Sequence, residues 1–149
     1  MDVKALPFSN DEIGKHVIRV ENGILQVLFS GRVSVEEAKR IQACVLEAGD
    51  RFGLLAALVD LDGLADFDSG SRAHFARPSR PYPFYAVAYY GGSFPVRVLI
   101  LTVMRAGKLI VPKAFDFELQ TFEKEAEARR FLETARAKRH AANEASRHL

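Results

Sequence analysis

The stretch Leu54–Arg72, LLAALVDLDGLADFDSGSR, decides the fold of this chain. It opens with a short apolar run that shows no alternation of apolar and polar residues, which is typical of a parallel strand buried on both faces. The run ends at Asp60, and a glycine turn then leads to residues 68–72, where a short helix is expected to begin. Because α/β folds place their binding sites at the carboxyl edge of the sheet, we predict a site after Asp60.

Local signals predict the elements around this stretch. The Asn22-Gly23 pair lies between two apolar runs and predicts a β-hairpin, because a type I′ turn needs positive φ at both positions. Ser34 and Glu37 form a capping box that starts a helix, and this helix ends at Gly49 or Gly53. The same reasoning predicts a helix over residues 69–77, a strand over 84–90, a helix from Phe94 to about Ile110, an edge strand over 115–120 and a helix from Lys124.

The predicted order is β-β-α-β-α-β-α-β-α, with Gly31 ending the second strand. Strands that alternate with helices imply a mostly parallel sheet, and the opening hairpin adds an antiparallel edge. We therefore predict a single α/β domain over residues 1–149 with a mixed five-stranded sheet. Residues 1–14 form an N-terminal arm, and residues 137–149 form a frayed or solvated helix end. A solvated helix face is also our interpretation of the basic residues nearby: Arg136, Lys138 and Arg139.

The composition and charge exclude several classes of protein. The net charge is +2 with acidic and basic residues interspersed, so no nucleic-acid partner is expected. The most apolar helical segment, residues 96–111, contains three cations and is shorter than the ~20 residues of a membrane span. The single cysteine, Cys44, and the absence of a secretory signal favour a cytoplasmic protein. No metal or other cofactor is expected, because the four histidines lack the spacing of metal ligands.

The residues after the buried strand read Asp60-Leu61-Asp62-Gly63-Leu64, then three further residues, then Asp68-Ser69-Gly70-Ser71. This pattern resembles the central motif of STAS-like domains related to bacterial anti-sigma-factor antagonists, approximately Asp-Leu-Ser-Gly-Val followed by Asp-Ser-Ser-Gly. The antagonists accept phosphate on the second serine of that motif, and this position is Gly70 here. The resemblance therefore implies a STAS-like fold in which Ser69 and Ser71 flank the position of the family's switch residue.

Two other segments are similar to a bacterial subgroup described as SpoIIAA-like, which also resembles the CRAL-TRIO lipid-carrier fold. The first, residues 88–97 (AYYGGSFPVR), is similar to a Gly-Ser-aromatic-x-Arg turn before an apolar helix. The second, residues 127–132 (EARRFL), is similar to a closing Glu-Ala-x-x-aromatic-Leu helix. The resemblance covers about residues 15–135 and implies a fold rather than an activity.

The first candidate site comprises Asp68, Ser69, Ser71 and Arg72. Phosphorylation of either serine would bring about −1.5 to −2 charges to a helix N-terminus, where the free amides and Arg72 would stabilise them. The neighbouring aspartates would oppose that charge. The alternative is that Asp68 or Ser69 caps a short helix and has no other role.

The second candidate site is the turn Gly91-Gly92-Ser93 together with Arg97. Glycines permit close approach of the backbone, and the start of the following helix offers free N–H groups, so the segment is a candidate anion nest. The alternative is a helix cap and a tight turn. If both candidate segments leave the same sheet edge, a small anion or a lipid headgroup would fit between them.

The third candidate is the helix over residues 94–111, which is apolar nearly all round and must be covered by more than the sheet. The cover is a second copy in a homodimer, another regulatory protein, a lipid chain, a membrane surface or the chain's own proline-rich connector. The candidate interface residues are Phe94, Val98, Leu101 and Met104. Candidates for lining a small apolar pocket, or for the core, are Phe75, Tyr82, Phe84, Tyr89 and Tyr90.

We therefore expect a non-catalytic regulatory or ligand-binding domain that acts through a homodimer or a signalling partner. An exposed apolar patch on the third candidate would favour this function. The alternative is a carrier or sensor of a small lipid or anion, which would need an apolar cavity of about 300 Å³ or more. A hydrolase is less expected, because Ser69 and His74 lack a nucleophile-elbow pattern. Asp60 is expected to organise the turn that follows it by a hydrogen bond.

Overall fold

The computed structural model describes residues 11–147 as one α/β domain. The strands of its six-stranded sheet lie side by side in chain order. The strands are β1 (Asp11–Ile13), β2 (His16–Glu21), β3 (Ile24–Val33), β4 (Leu55–Phe67), β5 (Phe84–Tyr90) and β6 (Glu118–Phe122). β2 runs antiparallel to its two neighbours, β1 and β3, and the last three strands run parallel to β3. The helices are α1 (Val35–Phe52), α2 (Ser69–Ala76), α3 (Phe94–Ile110) and α4 (Glu125–Arg147), with a 3₁₀ turn over Pro112–Phe115.

The helices form two layers, with α1, α2 and α3 packed in the larger core and α4 in a separate one. Crossovers between successive parallel strands have one preferred hand, so three crossovers in the same direction place their helices on the same face. α4 follows the last strand and covers the other face. There the sheet presents mainly small side chains, which allow the helix to lie close. The buried residues of this contact are Ala56, Leu58, Ala86, Ala88, Ala128, Leu132 and Ala135.

Two local predictions are confirmed by the backbone. Asn22 and Gly23 have φ of 53° and 77°, as a type I′ hairpin turn requires. Ser34 caps α1: its Oγ accepts a hydrogen bond from the Glu37 N–H, and Glu37 Oε1 accepts one from the Ser34 N–H. α1 then ends before Gly53, whose φ is 77°. Both signals act within a few residues, which is why the sequence alone reveals them.

The predicted end of β4 at Asp60 is wrong. Asp60 forms the last pair with β5, but β4 continues to Phe67 by pairing with β3 alone. Two register shifts absorb the extra residues, and Gly63 lies within this bulged segment. A Cβ atom on Gly63 would come within 2.5 Å of the Phe29 carbonyl oxygen, so this glycine allows close strand approach instead of turning the chain. The predicted end of β3 at Gly31 is likewise wrong, because Gly31 lies inside the strand and β3 pairs with β4 as far as Val33.

Two other boundaries differ from the prediction. β1 is a sixth strand within the segment predicted to be an arm, and residues 1–10 lie outside the described part. A three-residue strand carries too short a pattern to be recognised. The edge strand begins at Glu118 instead of residue 115, because Phe115 lies in the 3₁₀ turn and packs against Gly107 of α3. α4 is helical to Arg147 and mostly exposed after Arg136, as a solvated end would be.

Candidate functional site

The turn between β5 and α3 is tied to β4 by the carboxylate of Asp62. Asp62 Oδ1 accepts a hydrogen bond of 2.9 Å from the Gly92 N–H. Asp60 Oδ1 in turn accepts one of 2.8 Å from the Asp62 N–H. Gly91 has φ of 76°, and a Cβ atom there would collide with the Asp62 carboxylate. The segment predicted as an anion nest therefore already holds a carboxylate from the protein itself.

Arg97 and Ser93 also have partners within this turn. Arg97 Nη1 donates hydrogen bonds to the carbonyl oxygens of Gly91 and Gly92, at 3.2 and 2.7 Å. Ser93 Oγ accepts from the Val96 N–H as the N-cap of α3. These are the contacts of a helix cap and a tight turn. The Arg97 guanidinium is therefore bonded to the backbone of the turn that precedes α3.

The charged residues of the first candidate segment are paired around the end of β4. Arg32 Nε donates to Asp68 Oδ1, so Asp68 occupies the N-cap position of α2 without making a side-chain cap bond. Arg72 donates to Asp66 Oδ1 at 2.9 Å and to the Phe67 carbonyl oxygen at 3.1 Å. The hydrogen bond from the Phe67 N–H, followed by the contact with Arg72, lowers the pKa of Asp66. A phosphate at this helix end would have to compete with these ion pairs.

The serines of this segment differ sharply in accessibility. Ser71 is fully buried, and its hydroxyl donates a 2.8 Å hydrogen bond to the Val33 carbonyl oxygen. The prediction that Ser71 is a candidate switch residue is therefore wrong, because its hydroxyl is not accessible. Ser69 is exposed in the first turn of α2. At Gly70, a Cβ atom would come within 2.5 Å of Val35 Cγ2. The close packing of α1 on α2 therefore leaves no room for a side chain at the position where the antagonists carry the phosphorylated serine.

The two candidate segments have separate partners. The turn at residues 91–97 is held by Asp62, just beyond the last pair between β4 and β5. Residues 68–72 are held by Arg32 and Asp66, at the end of the extension that β4 shares with β3. The expectation of one ligand bound between both segments was conditional on both leaving the same sheet edge, next to the last pair of β4 with β5; β4 instead continues to Phe67 along β3 alone. The longer strand removes that basis.

α3 buries one side and exposes the other. Its buried residues are Ile100, Val103 and Gly107. Of the four predicted interface residues, Phe94 and Val98 are exposed, by 70% and 44%, and Leu101 is half-buried. Met104 is half-buried and packs against the core, so it belongs to the inner side of the helix. The large apolar residues that α3 exposes are Phe94, Val98, Leu109 and Ile110.

Phe94, Val98, Arg105 and Leu109 define what we call the α3 face. Their spacing of four, seven and four residues places them on one side of the helix. The prediction stopped at Met104 and missed Leu109, which is 84% exposed; extending the spacing from Phe94 and Val98 would have found it. α3 has no acidic residue, and both Arg105 and Lys108 are exposed. The α3 face is therefore both apolar and cationic.

An apolar cavity of about 60 Å³ lies between the sheet and the helices. Four of the five predicted lining residues contribute to it: Phe75, Tyr82, Phe84 and Tyr89. Tyr90 instead packs in the smaller core on the α4 side of the sheet. The Tyr82 hydroxyl donates to the Phe75 carbonyl oxygen at 2.6 Å and lies 3.0 Å from Gln42 Nε2. The cavity lies among core side chains and is several times smaller than typical ligand sites.

Three serine hydroxyls have hydrogen-bond partners in the backbone. The hydroxyls of Ser34, Ser71 and Ser93 cap helices or bond to the backbone. Within residues 11–147, no three His, Cys, Asp or Glu side chains are arranged to hold a metal ion. In the same part of the chain, no helix has the length and apolar character needed to cross a membrane.

Comparison with known proteins identifies the fold. An uncharacterised DUF3478-family protein with a SpoIIAA-like fold, from Shewanella loihica PV-4, is 17% identical, with a TM-score of 0.54 over 78% of this chain and 91% of that protein. The anti-sigma factor antagonist SpoIIAA in its unphosphorylated form is 14% identical, with a TM-score of 0.48 over 79% of this chain and 97% of SpoIIAA. No protein-family model matches the chain, and no curated protein is significantly similar in sequence. The chain has a SpoIIAA-like fold, as the resemblance implied.

Proposed function

We propose that this chain, which has a SpoIIAA-like fold, is a non-catalytic regulatory domain that binds another protein through the α3 face. The exposure of Phe94, Val98 and Leu109 on one side of a 17-residue helix carries the proposal. Contiguous exposed apolar side chains mark interaction sites on soluble domains, since covering them removes apolar surface from water. The single cysteine, Cys44, supports a cytoplasmic location for this function.

The charges on α3 favour a different protein over a second copy of this chain. An antiparallel pairing of two α3 helices would bring two copies each of Arg105 and Lys108 into one interface, with no acid on either helix. Like charges that face each other across an interface oppose association. A partner that presents apolar side chains flanked by carboxylates would complement both the apolar and the cationic residues. We therefore propose an acidic, amphipathic protein surface as the occupant.

The interior of the protein supports this function over ligand carriage. The apolar cavity measures about 60 Å³, whereas a carrier that encloses a lipid or another drug-sized ligand needs about 300 Å³ or more. At the carboxyl edge, the Gly92 N–H and the Arg97 guanidinium already have partners within the protein. An anion bound there would have to displace the Asp62 carboxylate.

Site-specific photo-crosslinking in the cells of origin tests the proposal. Benzoylphenylalanine replaces Val98 on the α3 face, and in a matched control it replaces Ala141, which is exposed on α4. We expect a defined heterologous product from position 98 that the control does not form. The partner identified in this product must then bind the wild-type chain when both proteins are purified.

Two results would overturn the proposal. One is crosslinking of position 98 to the same position in a second copy, together with a dimer in sedimentation that Val98→Asp abolishes. The other is the absence of any protein product specific to position 98, either because positions 98 and 141 give identical products or because the protein is recovered with lipid vesicles alone. The α3 face would then make no protein contact of its own.

A further inference from the structure

A second cavity, of about 250 Å³, lies at the amino-terminal ends of β4 and β5, beneath the C-terminal half of α4. Its polar lining comes from three elements that are far apart in sequence. The hairpin turn contributes Asn22, β5 contributes Tyr85, and α4 contributes Arg136, Arg139 and His140. This is the edge of the sheet opposite to the candidate segments that follow β4 and β5.

Two guanidinium groups line this cavity with unused hydrogen-bond donors. Arg139 lies over the ring of Tyr85, with its Cζ atom 5.2 Å from the ring centroid. Neither Arg136 nor Arg139 has a carboxylate or carbonyl partner among residues 11–147. The neighbouring Lys138 behaves differently, because its Nζ pairs with Glu118 Oε1 at 3.3 Å. The basic segment of α4 is therefore divided: one cation binds an acid on β6, and two others face an open space.

The lining is cationic even after its acid is counted. Glu133 also lines the cavity and offsets one of the two arginine charges, which leaves one net positive charge on these three side chains. The hydroxyl of the half-buried Tyr85 has no hydrogen-bond partner within the described residues. Arginine presents a planar fork of N–H groups that matches a carboxylate or a phosphate. Apolar side chains complete the walls, and Leu54 among them is 49% exposed.

We propose that this cavity binds a small organic oxyanion: a carboxylate or phosphate borne on a compact apolar or aromatic group. Arg136 and Arg139 would hold the oxygens, and Leu54 would contact the apolar part. A volume of about 250 Å³ accommodates one ring and its charged group but no longer chain. This inference is independent of the α3 face, which lies on the other side of the sheet.

Titration of the purified protein with phenyl phosphate and with benzoate, followed by NMR of the backbone amides, tests this site. We expect at least one of the two to give saturable shifts near residues 22–24, 54, 85 and 136–143. Arg136→Gln and Arg139→Gln should each raise the Kd at least tenfold. The control Lys138→Gln removes a cation from the same helix and should change the Kd less than twofold. Preference for one probe identifies the oxyanion as phosphate or carboxylate.

Three results would overturn this inference. One is the absence of saturable shifts with both probes at millimolar concentration. Another is equal weakening by Lys138→Gln, because general attraction to a basic helix would then explain the binding. The third is equally tight binding of phenol, which has the ring without the charge. Circular dichroism of each variant establishes that lost binding does not reflect unfolding.

Discussion

The Asp62 carboxylate and the Gly92 backbone amide, joined by a hydrogen bond of 2.9 Å, connect the extended part of β4 to the turn that begins α3. Arg97 holds the two glycine carbonyls of the same turn from the first turn of the helix. The start of α3 is therefore fixed from both sides, by a strand and by the helix itself. Phe94, the first residue of the α3 face, follows directly.

Asp62→Ala should destabilise the protein, because it removes the acceptor of the Gly92 N–H. A hydrogen bond of this kind contributes about 1 kcal/mol, which corresponds to a fall in Tm of about 2–4 °C for a chain of this size. The control is Asp116→Ala, an exposed aspartate for which residues 11–147 offer no hydrogen-bond or ion-pair partner. Thermal unfolding by circular dichroism measures both. Equal Tm values for the two variants would mean that the Asp62 bond does not stabilise the fold.

Gly70→Ser, which introduces the serine found in the antagonists, should also destabilise the protein. The new Cβ would lie 2.5 Å from Val35 Cγ2, and overpacking of this kind costs about 1–3 kcal/mol. Adding Val35→Ala should recover part of the loss, because it removes the colliding methyl groups. Denaturant unfolding of the single and double variants measures this coupling. Strict additivity of the two substitutions would show that the collision does not occur.

Two buried tyrosines should respond in opposite ways to removal of the hydroxyl. Tyr82→Phe leaves the Phe75 carbonyl without its partner and removes the contact with Gln42, so it should cost about 1–3 kcal/mol. The Tyr89 hydroxyl is buried, has no hydrogen-bond partner within the described residues, and has a pKa raised by burial. Tyr89→Phe should therefore leave stability unchanged or increase it by about 1 kcal/mol. A loss at Tyr89 equal to that at Tyr82 would reveal a partner for its hydroxyl.

The capping box should make stability depend on pH through Glu37. The hydrogen bond from the Ser34 N–H, followed by that from His16, lowers the pKa of Glu37 below its ordinary value of 4.5. His16 Nδ1 accepts from the Ser30 N–H, so its Nε2 donates to Glu37. Stability from the ionised carboxylate is then present above pH 4.5 and is lost as the pH falls through the lower, folded-state pKa.

The difference in Tm between the wild type and Glu37→Gln should therefore be largest near neutral pH and shrink below pH 4.5. Thermal unfolding at a series of pH values between neutrality and pH 3 measures it. Glu36→Gln on the exposed side of α1 is the matched control and should show little of this dependence. A Tm difference for Glu37→Gln that stays constant over this range would contradict the role of its ionised carboxylate.

The sequence predicts those parts of the fold that depend on neighbouring residues. The Asn22-Gly23 turn, the box of Ser34 and Glu37 and the Ser93 cap all act over a few residues and are present in the structure. The apolar run in β4 is likewise buried on both faces. Each of these features follows from local backbone geometry or from the absence of an apolar–polar alternation.

Features that depend on distant residues were not predicted. β4 extends beyond Asp60 because β3 continues to pair with it. No sequence pattern within residues 60–67 predicts this extension. Ser71 is buried, and its hydroxyl bonds to the Val33 carbonyl oxygen, which is 38 residues away in sequence. The stacking of Arg139 on Tyr85 joins α4 to β5 in the same way. Pairings between distant elements therefore set both the accessibility of the serines and the cavity beneath α4.

The central claim is tested most directly with the partner that is identified by crosslinking at position 98. The measurement is its affinity for the wild type and for Val98→Asp. Titration of the two purified proteins measures the Kd, with Ala141→Asp as the control for an added surface charge. We expect Val98→Asp to weaken binding at least tenfold, because it places a carboxylate opposite the acidic, apolar surface of the partner, while Ala141→Asp binds as the wild type does. Equal Kd values for all three proteins would contradict binding through the α3 face.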